Sequence, residues 1–236
     1  MSGGVGPPTP EAALAALRAR GDPLRAEETA ARGRTGREAF GAPAAEIEAV
    51  VRGWREAGMT VPERLALARA LWDAGPVEAR LAAARLLTQA RIADDAAVWE
   101  TILGWVPECD GPAIADQVAK AGARRLAAAP ARLDAVEAWT APDQAPLIRR
   151  AALSVTLPWS KLRHPSAEDA ARRERVLGWA AAYAPEADRL LQTALVGWLR
   201  SLAKHDPARV RVFLEEHGAA MRPHARREAE AALGQP

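Results

Sequence analysis

Asp116 stands in the stretch CDGPAIADQV, residues 109–118. The Asp110-Gly111-Pro112 break reads as a helix start, and helical spacing sets Asp116 two residues, about 200°, from both Ile114 and Val118. That places it opposite the apolar stripe, facing solvent or a groove. A carboxylate so placed either stabilises a developing positive charge on a substrate or is a solvated residue near a helix N-terminus. Arg149 and Arg150, between Leu147-Ile148 and Ala151-Ala152, are either phosphate ligands or a solvated pair. Lys204, Arg209 and Arg211 flank the turn KHDPARVR and read as a second phosphate run. His205-Asp206 looks like half of a catalytic dyad, but Asp-Pro is a helix start, with Asp206 as cap and Pro207 as first helical residue. His164, His217 and His224 are isolated, and Cys109 has no Cys or His nearby, so neither a metal nor a cofactor is expected. Gly-rich phosphate loops, nucleophile elbows and dinucleotide fingerprints are all missing.

The elements that must position these residues are helices. Half of the 236 residues are apolar, yet no apolar run approaches the ~18 needed to span a membrane. The start, MSGGVGPP, reads as a disordered tail over residues 1–9, and a single cysteine fits a reducing cytoplasm. Residues 149–236 hold 15 Arg/Lys against 10 Asp/Glu, while residues 1–148 hold 17 against 20, a polarity compatible with a polyanion at the C-terminal half. Only three of the 32 basic residues are lysines.

Cap-then-proline starts recur at Thr9-Pro10, Asp22-Pro23 and Asp206-Pro207, with a variant at Thr60-Val61-Pro62. Glycine or proline closes most segments. Cutting there predicts helices over roughly 10–20, 23–32, 44–57, 62–73, 76–90, 94–106, 112–128, 131–140, 144–157, 166–184, 186–204, 207–217 and 222–233. The segment PVEARLAAARLLTQA predicts an apolar face (Val77, Leu81, Ala84, Leu87) and a charged one (Glu78, Arg85). Short links and no heptad seam point to an all-α, HEAT- or armadillo-like solenoid of antiparallel helix pairs with a concave groove, as one domain over 10–236. Exact self-similarity is weak, so a compact bundle stays open. Four of the eight tryptophans follow glycine, at 53–54, 104–105, 178–179 and 197–198. Each Trp either packs between helices where its Gly lets backbones approach, or lines the concave face to meet a base or sugar.

The run LLQTALVGWLRSLAKHDPARVRVFLEEHGAAMRPHARREA, with ALWDAGPVEARLAAARLL, AIADQVAKAGARRL and LIRRAALSVTLPW, resembles the HEAT-repeat DNA alkylation repair family, the alkylpurine DNA glycosylases of the AlkD type. The resemblance covers about residues 11–233. It implies a helical solenoid that holds duplex DNA in a basic groove and releases purines alkylated at N3 or N7. It also implies that Asp116 occupies the position of the catalytic aspartate and Arg150 that of a phosphate-holding arginine. The aromatic positions depart from the family pattern: Pro112 and Leu147 replace tryptophans, Gly197 replaces the second site tryptophan with Trp198 one residue later, and Arg32 falls where relatives carry a tyrosine.

The resulting expectation is a monomeric, cytoplasmic protein binding alkylated duplex DNA. Asp116 would act on the sugar, Arg150 and Arg149 would hold phosphate, and Trp198 or Trp105 would supply aromatic contact. The alternative is a catalytically impaired scaffold that recognises DNA structure or a protein partner.

Overall fold

The computed structural model describes residues 6–33 and 36–234; the first five residues of the expected tail lie outside them. The described residues contain helices and no strand. Contacts divide the chain into two compact units, Met1–Arg125 and Leu126–Pro236.

In the first unit the helices are α1 (Pro10–Arg18), α2 (Pro23–Gly33), α3 (Ala44–Glu56), α4 (Val61–Ala74), α5 (Val77–Leu86), α6 (Ala96–Trp105) and most of α7 (Pro112–Ala128). The caps read from the sequence form: Thr9 accepts from Ala12 N at 3.2 Å, Asp22 from Leu24 N at 2.9 Å, and Thr60 with Glu63 makes a reciprocal capping box. Gly75, at φ 100°, turns the chain from α4 into α5, and the two pack along each other. Helix α5 differs from the amphipathic expectation because it is buried almost all round, Glu78 included. Ala79 and Ala82 to Ala84 have no bulk to hold neighbours away, so packing closes over the polar positions too.

Glu78 is 2% exposed and accepts the backbone N–H groups of Phe40 and Gly41, both at 2.8 Å, and of Ala42 at 3.2 Å. One buried carboxylate thereby fixes the link before α3. The link fits tightly, since a Cβ on Gly41, at φ 77°, would lie 2.1 Å from the Asp22 carbonyl oxygen. Arg125, wholly buried, does the same for the link after α5, donating to the carbonyls of Gln89 and Ala90 and pairing with Asp95 at 3.1 Å.

The second unit holds α8 (Leu133–Glu137) between two 3-10 turns (Pro130–Arg132 and Ala138–Thr140), then α9 (Pro146–Val155), α10 (Leu157–Ser160), α11 (Ala167–Tyr183), α12 (Arg189–Ala203), α13 (Pro207–His217) and α14 (Pro223–Ala232). Helix α12 is its hub, packing on α9, α10, α11, α13 and α14. The predicted 131–140 helix is broken into three pieces. Pro130 and Pro142 bracket too few residues for stable α-helical propagation. Arg173 staples α11 to its surroundings through Asp206 at 2.9 Å and the carbonyls of Trp159 and Leu162.

All four Gly-Trp tryptophans, Trp54, Trp105, Trp179 and Trp198, are buried, as the packing reading expects. The role expected for their glycines is corrected: an added Cβ at Gly53, Gly104, Gly178 or Gly197 would meet nothing within 4 Å. Each Gly is exposed, because a residue about 100° from an inward Trp points outward. Two outcomes are expected in urea unfolding. Glu78→Ala should lose roughly 3 kcal/mol, since three backbone donors lose a charged acceptor. Gly178→Ala and Gly197→Ala should each gain about 0.5–1 kcal/mol from helix propensity; a loss would show hidden crowding.

Candidate functional site

Helix α7 begins at Pro112 and is buried along most of its surface, with Ile114, Ala115, Val118, Ala119, Ala121 and Leu126 all in the core. Its open side is a single stripe of Ala113, Asp116, Lys120, Arg124 and Ala127, at spacings of three and four residues. Asp116 is half-buried there, one turn beyond the helix start. The geometry agrees with the expectation that it faces away from the apolar stripe. Lys120 and Arg124, which the sequence reading passed over, continue that line at i+4 and i+8. Their signal was the spacing from Asp116 rather than any motif.

Trp105 does not stand beside Asp116 as an open ring. It stacks on Trp72 with centroids 4.3 Å apart and planes 7° from parallel. The Arg80 guanidinium lies 4.2 Å over Trp72, and the indole Nε1 of Trp72 donates to Glu108 at 2.7 Å. Offset stacking capped by a cation makes this a structural cluster. Cys109, beside it, has its thiol pushed up to about 12, chiefly by burial, and stays protonated at neutral pH. Among the described residues no group of three His, Cys, Asp or Glu is arranged to hold a metal.

In the second unit Arg149 and Arg150 are 7% and 9% exposed, so neither matches the alternative of a solvated pair. The Arg149 Nη2 pairs with Glu186 at 2.8 Å, and its guanidinium lies 4.8 Å over the Tyr183 ring. Burial opposes the charge of Arg149, but the hydrogen bond and charge of Glu186, with help from Tyr183, outweigh it and raise its pKa. Its observed contacts tie α9 to the end of α11. Arg150 donates to the Leu190 carbonyl at 3.2 Å, at the start of α12.

Trp198 is 1% exposed and faces the core, which removes it from any open wall. The open side of α12 carries Arg189, Thr193, Gly197, Arg200 and Lys204 instead. A cleft of about 190 Å³ between α12 and α14 is lined by Gln192, Thr193, Gly197 and Arg200 with His224 and Glu228. Arg200 pairs with Glu228 at 2.9 Å. Of the phosphate run read from KHDPARVR, Lys204 and Arg211 are exposed. Arg209 is held by both oxygens of Glu174 at 2.8–3.1 Å, which raises its pKa. Asp206 caps α13, accepting from Arg209 N at 3.1 Å, as the helix-start reading expects. The side chain at Arg32 lies outside the described residues.

One ring was missed. Trp139, on the 3-10 turn that packs against α9, is the one aromatic side chain among the described residues that is not buried. Nothing in its local sequence, EAWTAP, marks it, because the exposure follows from the break of the predicted 131–140 helix.

No helix of the described residues is long and apolar enough to cross a membrane. A family model for DNA alkylation repair enzyme matches residues 13–233. No functionally curated protein matches the chain significantly. A solved structure of a predicted DNA alkylation repair enzyme from Enterococcus faecalis is similar over 92% of this chain and 98% of that one, with 18% identity and a TM-score of 0.74. At that identity the likeness shows the fold, while the family match spans nearly the whole sequence. The chain belongs to the DNA alkylation repair enzyme family, and its role lies in DNA repair.

Proposed function

We propose that this protein binds duplex DNA as a monomeric, cytoplasmic, HEAT-like domain and hydrolyses the N-glycosidic bond of purines alkylated at N3 or N7. The observation that carries the reading is Asp116 on the single open stripe of an otherwise buried helix. An alkylated purine of this kind is already cationic and leaves without a strong general acid. The remaining demand is to stabilise oxocarbenium character at the sugar and to orient water. One carboxylate on a well-packed helix serves both ends. No metal or cofactor enters this chemistry.

Phosphate contact falls to the exposed cations. Arg124 on α7 and Arg189 and Lys204 on α12 have no carboxylate partner among the described residues, whereas Arg149 and Arg209 are paired and act through packing. Arg150, with a narrow exposed edge, would touch phosphate only from that edge. Trp139 is the ring open to a nucleotide.

The burial of Trp105 and Trp198 favours a second reading, a DNA-binding scaffold without turnover, because neither presents a ring to substrate. Duplex DNA carrying 7-methylguanine and 3-methyladenine separates the two when released base is measured by mass spectrometry. Under the first reading Asp116→Asn lowers release by about 10²-fold or more with DNA affinity nearly unchanged. No release by the unaltered protein, with affinity falling steeply as salt rises, establishes the scaffold. Trp139→Ala should weaken DNA binding by about tenfold, the contact energy of one stacked base, and leave thermal unfolding in place.

A further inference from the structure

The amine of Lys120 is the one feature of the α7 stripe that charge alone does not require. The chain meets its need for positive charge almost entirely with arginine, and only Lys120, Lys161 and Lys204 are lysines. Lys120 lies one helical turn after Asp116, about 6 Å along the axis, on the same open stripe. It is exposed and makes no ion pair or hydrogen bond among the described residues. Ala113 and Ala127 end the stripe and Ala123 borders it, so a sugar-phosphate backbone meets little side-chain bulk there. A guanidinium at this position would hold phosphate equally well, but only an ammonium can lose its proton and act as a nucleophile.

We propose that Lys120 gives this protein a second activity, lyase cleavage of the DNA strand at abasic sugars. The inference rests on the glycosylase reading for the supply of that sugar. Base loss beside Asp116 leaves an abasic deoxyribose, whose ring-opened form carries an aldehyde at C1′. Once its ammonium has given a proton to water, the Nζ of Lys120, on its four-carbon stem, adds to C1′; water leaves and an iminium forms. The iminium acidifies C2′, and the Asp116 carboxylate takes a proton from it. The C3′–O bond then breaks, and its electron pair departs with the 3′ phosphate. Water hydrolyses the conjugated imine, which returns free lysine and leaves an unsaturated aldehyde on the strand end. Nothing is oxidised or reduced overall.

The test uses the full chain and a duplex with one preformed abasic site, so its result is independent of base release. That release is measured separately on alkylated DNA. Borohydride reduces any iminium to a stable amine and is expected to trap a covalent protein–DNA adduct whose peptide maps to Lys120. Strand cleavage should exceed the protein-free rate. Lys120→Arg keeps the charge and should lower both signals by about 10²-fold, while anisotropy with the abasic duplex reports its binding. Lys120→Cys treated with bromoethylamine rebuilds an amine at the same place and should recover the adduct; Lys120→Arg treated in the same way, which keeps the half-buried Cys109, is the control and should stay low. Absence of an adduct from the unaltered protein on bound abasic duplex overturns the proposal. So does an adduct of equal yield in Lys120→Arg, or failure of the rebuilt amine to recover it.

Discussion

Short links between helices leave backbone N–H and C=O groups that no helix satisfies, and here buried charged side chains reach out from helices to satisfy them. Glu78 takes three amides of the link before α3, Arg125 takes two carbonyls of the link after α5, and Arg173 takes two carbonyls around α10. A buried backbone group without a partner costs on the order of 1–3 kcal/mol, so each of these side chains offsets several such penalties at once. The charge on each of the two arginines is in turn satisfied, by Asp95 for Arg125 and by Asp206 for Arg173. The helices can therefore stay short and alanine-rich, since their ends are held by side-chain hydrogen bonds as well as by apolar area.

That device divides the basic residues into two populations. Arg149, Arg172, Arg173, Arg175, Arg200, Arg209 and Arg226 each meet a carboxylate in the second unit. The excess of positive charge in residues 149–236 is accordingly carried by the remainder, including Arg189, Lys204 and Arg211. A count of charges from composition treats all of these alike. Phosphate recognition needs the second population, because a guanidinium already held by both oxygens of a carboxylate gains little from exchanging partners in water.

Helix positions were readable from the chain because caps and breakers are local: α7 begins and ends where the sequence reading puts it, and Thr60 caps α4 as its place before Val61-Pro62 predicts. Asp116 was readable for the same reason, since angle around a helix follows from residue count. What was not readable depends on distant neighbours. Glu78 fell on a charged face because its partners are amides 36–38 residues away, and Arg149 stood between phosphate ligand and solvated side chain because Glu186 is 37 residues on. Trp105 and Trp198 looked available because nothing local says which side of a helix a neighbour covers. The glycine before each Trp pointed to close packing, yet it marks the uncovered side.

The burial of the aromatic rings bears on the kind of catalysis that the role proposed for Asp116 would involve. Rings that grip a cationic base lower the barrier only if they hold the transition state more tightly than the ground state. With Trp105 stacked on Trp72 and Trp198 in the core, that contribution is withdrawn from both, and Gly197 leaves a cleft in place of bulk. The role proposed for the Asp116 carboxylate loses nothing by this, because its interaction would grow as charge moves onto the sugar, whatever stands against the base. Under the proposed base release, chemistry on such a surface would be carried by electrostatics at the sugar and by phosphate positioning, and it would be less selective for the shape of the departing base. An open stripe bearing a carboxylate, an amine and a guanidinium in successive turns is suited to a substrate recognised through its backbone.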